Sequence, residues 1–344
     1  MKLKKPSKGR EDVGKYLKKK LSRRDFIKGS AVGLAGLHAV NLGSLMSFEN
    51  AGKTQVVVYK TDDRKEGVRQ VLKTLNFPSP KEKQVFIKPN FNTADAAPGS
   101  THNDTLSQLV SELHQSGAAN LTLGERSFPV TKEVMEEKGI FQMASELDFT
   151  VINFEELEEK DWIAFNPPGT HWSNGFSIPR PAVEAEYFVS TCCLKTHGSG
   201  GVFTLSLKLA VGLTPKTLMR GLHRSPDMRR MIAEINQGYT PQLIVLDGVE
   251  AFVDGGPSRG TRKQANVFVA GTDRVAVDAV GIAILKDLGS NDAIMGTKIF
   301  QQEQIQRAAE VKLGISRPDQ IELISPDKAS REYTKTLRTI LSEG

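Results

Sequence analysis

Cysteine is scarce in this chain. Its 344 residues include two, Cys192 and Cys193, and these are adjacent. A disulfide between neighbouring cysteines is strained, and a cysteine-ligated iron–sulfur cluster takes about four thiolates. This chain alone therefore supplies no such cluster. The pair reads as two small hydrophobes in a buried strand. A redox or metal pair is the other reading, but no neighbouring residues support it.

A basic excess is also missing once the first residues are set aside. The net charge is +6, but residues 1–28 hold twelve Lys or Arg against three Asp or Glu. The remaining residues carry 34 basic and 37 acidic side chains. That balance lacks the cationic surplus of a nucleic-acid binder, so no nucleic-acid partner is expected. There is no internal repeat and no low-complexity tract.

The basic N-terminus has a pattern of its own. Ser22-Arg23-Arg24-Asp25-Phe26-Ile27-Lys28 sits directly before a mildly apolar run, Gly29 to Phe48. A charged n-region (1–28) followed by an h-region (29–48) is a targeting segment, and the arginine pair makes it a twin-arginine (Tat) signal. Residues 1–50 are thus expected to engage the Tat translocase and to lie outside the fold. The destination is periplasmic or otherwise extracytoplasmic. No clean small-x-small cleavage motif lies between Ala35 and Ala51, so cleavage and retention as an N-terminal anchor both stay open. The leader has no cysteine, which excludes a lipid attached through one.

From residue 55 onward, short apolar runs alternate with amphipathic stretches. The runs are Gln55–Tyr59, Gln84–Lys88, Leu121–Gly124, Phe149–Asn153, Tyr187–Leu194, Leu243–Asp247 and Asn266–Ala270. Several are continuous and β-branched, as in strands buried on both faces. The helix-like stretches between them include 64–75, 104–116, 131–147, 202–213, 226–235, 274–288 and 297–313. This alternation predicts an α/β fold with a mostly parallel sheet and helices on both faces. A loop-like interruption at 161–182 predicts two lobes, 55–160 and 183–330. Residues 331–344 read as a C-terminal tail.

Ligands of open parallel sheets bind beyond the carboxyl ends of the strands. Those ends carry Lys88-Pro89-Asn90, then Glu125 and Arg126, then Lys195-Thr196-His197, then Asp247-Gly248. The loop Gly198-Ser199-Gly200-Gly201 is expected to feed a helix N-terminus suited to a phosphate or carboxylate, with Lys195 and Lys208 adding charge. It is neither a Walker loop nor a dinucleotide fingerprint, because the Gly-Lys-Ser/Thr and the third glycine are missing. Lys88, Asn90, Lys195, Thr196, Gly200 and Lys208 are therefore the ligand-binding candidates. His197 is the candidate for proton transfer. Asp247 and Asp278 would orient it or hold a divalent metal, and His223 would join His197 around that metal. Asp247, Glu250 and Asp254 form a further hard-cation candidate. Asp278 stands out because it interrupts an apolar helix and needs a polar destination.

These segments together resemble one family. Lys88-Pro89-Asn90, Lys195-Thr196-His197, Lys208 to Gly212, His223, Asp247-Gly248, Gly256-Pro257 with Gly260, and Asp273 to Asp278 resemble the family catalogued as domain of unknown function 362. The resemblance spreads over most of residues 55–325, and the domain is expected to span 55–330. Many relatives carry ferredoxin-like cysteine motifs and are iron–sulfur proteins; this chain departs from them there.

The expectation is thus an exported enzyme or cofactor-dependent protein that acts on a small anionic ligand at the strand ends. The alternative is a non-catalytic ligand-binding protein, or one that assembles with a redox partner outside the cytoplasm. The export claim has a direct check. Replacing Arg23 and Arg24 together by Lys keeps the charge but removes the guanidinium pair, and fractionation should find the folded protein held in the cytoplasm. Normal export of this double variant would contradict the signal.

Overall fold

The computed structural model describes residues 53–344; the twin-arginine segment lies outside the described residues. Eleven strands are present: β1 Thr54–Lys60, β2 Gln84–Lys88, β3 Asn120–Glu125, β4 Thr150–Asn153, β5 Trp162–Phe165, β6 Phe176–Pro179, β7 Tyr187–His197, β8 Val202–Thr204, β9 Leu243–Gly255, β10 Gly260–Gly271 and β11 Ile321–Ile324. Nine form one sheet in the order β11-β1-β10-β9-β7-β2-β3-β4, with β8 paired to β7 at its side. Along that path every neighbouring pair is parallel except those made by β10, which runs against both β1 and β9. The chain is an α/β protein with a mostly parallel sheet.

The apolar runs explain why both faces are covered. Side chains alternate between the faces of a strand, and here both parities are hydrophobic. Val56 and Val58 of β1, Ile244 and Leu246 of β9, and Val267 and Val269 of β10 enter one core. Val57, Leu243, Val245, Phe268 and Ala270 enter another. The first core is closed by the helices Arg274–Asp287 and Lys328–Glu343, the second by Arg64–Thr74 and Asn103–Gln115. Cys192 and Cys193 lie buried on β7 as free thiols.

Several expectations need correcting. The two lobes do not exist as separate sheets. β2, β3 and β4 from the first and β7 and β9 from the second share one sheet, while β1 lies beyond β10. The interruption at 161–182 contains the antiparallel pair β5–β6, whose Phe165, Phe176 and Ile178 pack in a third core with Phe86 and Phe188. The C-terminal tail is most of a sixteen-residue helix, Lys328–Glu343, which buries Leu337 and Leu341. The stretch 131–147 is two helices, because Gly139 between them takes a left-handed φ of 67°. The stretch 202–213 starts as β8 before it turns helical at Ser206–Leu209.

Candidate functional site

Three parallel strands end side by side at the middle of the sheet. β2 stops at Lys88, its neighbour β3 at Glu125, and on its other side β7 extends to Lys195 and His197. The Ser206–Leu209 turn brings Lys208 back over these ends. Together Lys88, Asn90, Glu125, Arg126, Lys195, His197, Thr204 and Lys208 line one small cleft, part of it open to solvent.

The cationic groups in this cleft are treated unequally. Lys88 is buried and paired: its Nζ donates to Glu125 Oε1 at 2.5 Å and to the Pro89 carbonyl at 2.8 Å. Glu125 also accepts from the backbone N–H groups of Phe91 and Arg126, each at 2.8 Å. Burial lowers the Lys88 pKa while Glu125 holds it up. Gly212 leans on this pair; a Cβ there would come within 2.7 Å of Glu125 Oε1 and 2.8 Å of Lys88 Nζ.

Among the described residues Lys195 has no carboxylate partner. Its Nζ donates to Asn90 Oδ1 at 3.0 Å and to the carbonyls of Gly99 at 2.5 Å and Pro257 at 3.0 Å. Burial pulls its pKa down to about 8. Lys208 makes no hydrogen bond or ion pair through Nζ among the described residues, and burial, then Lys195 and Arg126, bring it down to about 7. Arg126 donates from Nη2 to the Val211 carbonyl at 2.7 Å. Among the described residues its Nε has no partner, and neither do His197 Nδ1 and Thr204 Oγ1.

His197 was expected to exchange protons near neutrality. Burial, followed by the charges of Lys208, Lys195 and His223, drives its pKa down to about 2. The imidazole is therefore neutral, and the cleft groups that titrate near neutral pH are the amines of Lys208 and Lys195.

Other predicted residues lie elsewhere. Thr196 sits between Lys195 and His197, so strand alternation sends it away from the cleft; its hydroxyl donates to the carbonyls of Phe252 and Gly255, both at 3.2 Å. Gly200 does not line the cleft; its carbonyl accepts from Arg229 at 3.1 Å. The glycine loop leads into β8 and not into a helix N-terminus. Its Gly201 matters sterically, since a Cβ there would meet Lys208 Cε at 2.7 Å and His197 Nδ1 at 3.0 Å.

The two aspartates are structural clamps. Asp278 accepts from the backbone N–H groups of Ser206 at 2.7 Å and Leu207 at 3.0 Å. It occupies the helix end that was expected to hold the anion. Burial outweighs those two bonds and leaves its carboxyl raised to about 8. Asp247 accepts from Thr105 Oγ1 at 2.6 Å, Arg64 Nε at 3.0 Å and Val249 N at 3.1 Å, tying two helices to β9. His223 is exposed, and its Nδ1 meets the Met219 carbonyl at 2.8 Å within the same helix. Among the described residues, no group of three or more His, Cys, Asp or Glu side chains is gathered to hold a metal. Among the described residues, neither His223 nor the Asp247–Glu250–Asp254 set belongs to such a group. Arg126, Glu125 and Thr204 are cleft residues to which the sequence alone assigned no role.

Fold and cleft define a mostly parallel α/β protein with a buried, largely cationic pocket at the carboxyl edge of its sheet. The chain belongs to the family described as Domain of unknown function (DUF362), which matches residues 85–283. A thylakoid-associated protein of Synechocystis is 23% identical over 258 residues, covering 72% of this chain and 76% of its own length. Two solved structures, each 12% identical, are similar over much of the chain. The lactate racemase apoprotein of Thermoanaerobacterium thermosaccharolyticum aligns over 82% of this chain and 85% of its own, with a TM-score of 0.36. A structural-genomics protein of Thermotoga maritima aligns over 72% and 58%, with a TM-score of 0.39.

The clamp can be tested apart from any ligand. Asp278→Ala strands two buried N–H groups, each worth about 1–3 kcal/mol, so denaturant unfolding should show a loss of about 2–6 kcal/mol. An unchanged midpoint would show that the Ser206–Leu209 turn does not rely on Asp278.

Proposed function

We propose that the protein is an enzyme acting on a small oxyanion, a carboxylate or phosphate group, held in the strand-end cleft, and that its leader carries it out of the cytoplasm to do so. One observation carries the reading. Lys88, Arg126, Lys195 and Lys208 converge on the cleft with Glu125 as the one carboxylate, and that carboxylate is bonded to Lys88. A buried cation without a counter-charge is costly, and an anion from outside relieves that cost. The unpartnered atoms point the same way, since Arg126 Nε, Thr204 Oγ1 and His197 Nδ1 all belong to residues that line this cleft. Arginine suits a planar carboxylate or phosphate, and lysine contributes a compact charge.

The reading assigns roles within the cleft. Lys195, fixed by three acceptors, and Arg126 hold the anion. Lys208 and Lys195 change protonation in the range where a cellular acid or base must work. His197 serves as a neutral hydrogen-bonding ring. An anion stabilises the protonated amines, so binding above pH 7 takes up protons. Affinity should therefore be greatest below about 7 and fall as pH rises through 8.

Sulfate, whose own charge is constant in this range, is the probe. Calorimetry should show its affinity dropping by roughly tenfold per pH unit for each linked proton above pH 8. Lys195→Met should weaken binding at pH 6.5 by tenfold or more. Sulfate binding that is indifferent both to pH and to this substitution would contradict the proposal.

A further inference from the structure

The three lysines of the cleft are not equivalent. Lys88 is neutralised by Glu125. Lys195 has three acceptors around Nζ, as many as an ammonium group has protons, so its protons are already committed within the protein. Lys208 is nine-tenths buried and has neither kind of partner among the described residues. Its placement comes from the backbone. Asp278 clamps the N–H groups of Ser206 and Leu207 directly before it, and Gly201 leaves room for its Cε beside His197. The chain thus spends two well-made hydrogen bonds and a glycine to present an amine that bonds to nothing of its own.

An unpartnered amine set among other cations favours its neutral form, and here burial with Lys195 and Arg126 brings it down to about 7. A desolvated, neutral lysine beside another cation is a nucleophile toward carbonyl carbon. We propose that Lys208 condenses with the ketone or aldehyde of a small oxo acid to form an imine, while Arg126 and Lys195 hold the carboxylate of that acid. This inference rests on the reading of the cleft as an anion site and names the substrate class for it.

The chemistry closes on Lys208 and solvent water. The Lys208 nitrogen pair forms a bond to the carbonyl carbon, and the π pair moves onto oxygen. One proton passes from nitrogen to that oxygen through water at the open side of the cleft, giving a neutral carbinolamine. A proton from solvent at the open side of the cleft converts the hydroxyl into a leaving water, the nitrogen pair re-forms as C=N, and water leaves. Nothing is oxidised or reduced, and the product is a protonated imine that can draw electrons from the neighbouring carbon.

The full-length protein is incubated separately with glyoxylate, pyruvate and 2-oxoglutarate, each followed by borohydride, and the adduct is located by peptide mass mapping. At least one acid should leave a reduced adduct on Lys208. It should be blocked by excess sulfate, increase in yield from pH 6 to pH 8, and be lost in Lys208→Arg. The pH trend is opposite to that of sulfate affinity, because one event needs the free amine and the other the ammonium. Because the adduct is mapped in the unaltered protein, the result does not depend on a variant folding. Sulfate binding with no adduct on Lys208 from any of the three acids would overturn the imine and leave the anion site standing. Absence of both would overturn both. Adducts spread over exposed lysines with none enriched at Lys208 would also overturn it.

Discussion

Burying an ammonium or guanidinium group away from water, with no carboxylate to face it, is among the least favourable arrangements available to a folded chain. The carboxyl edge of this sheet concentrates four buried cations around a single acid, which pairs with only one of them. Each is handled in a different way: Lys88 by an ion pair, Lys195 by three oxygen acceptors, Arg126 by the Val211 carbonyl, and Lys208 by loss of its proton near pH 7. Geometry and acid–base behaviour both follow from this graded compensation. The depressed pKa of His197 and the near-neutral amines are consequences of it.

The framework around the cleft is what keeps the arrangement from relaxing. Two aspartates that look catalytic in the sequence do this work from outside. Asp247 fastens Arg64 and Thr105, each on a different helix, to β9, while Asp278 fixes the turn that carries Lys208. Glycines contribute where side chains would intrude. Gly256 has a φ of 74°, and a Cβ there would strike the Thr196 carbonyl at 2.1 Å, so the β9–β10 turn closes against the end of β7. That contact places Pro257, one of the acceptors for Lys195. Chain segments far apart in sequence thus share one small volume.

The parallel sheet was legible because its strands are buried on both faces, so runs such as Val56–Val58 and Leu243–Leu246 stay hydrophobic at both parities. The ends of β9 and β10 were not legible. Residues such as Arg262, Lys263 and Gln264 are polar and exposed, and the glycines between the strands read as a loop, yet the hairpin continues through them. β11 was missed because Ile321–Ile324 is four residues long. Strand-end reasoning puts Lys88, Lys195 and His197 at one sheet edge, and all three line the cleft. Asp278 entered on a separate ground, that a carboxylate in an apolar helix needs a polar destination; backbone N–H groups supply that destination, and a sequence does not say which partner will. Residue type likewise gave no warning that packing would strip His197 of its usual pKa and pass that range to lysine.

The central claim is that this cleft keeps cationic groups in reserve for an anion. Lysine-selective carbon-13 labelling with an NMR titration reads it directly, since each Cε resonance reports its own amine. The account predicts one amine near pH 7 and one near 8, assigned to Lys208 and Lys195 by single substitutions, and both moving upward when sulfate is added. Titration of both amines near 10.5, the ordinary lysine value, with no response to sulfate would contradict it.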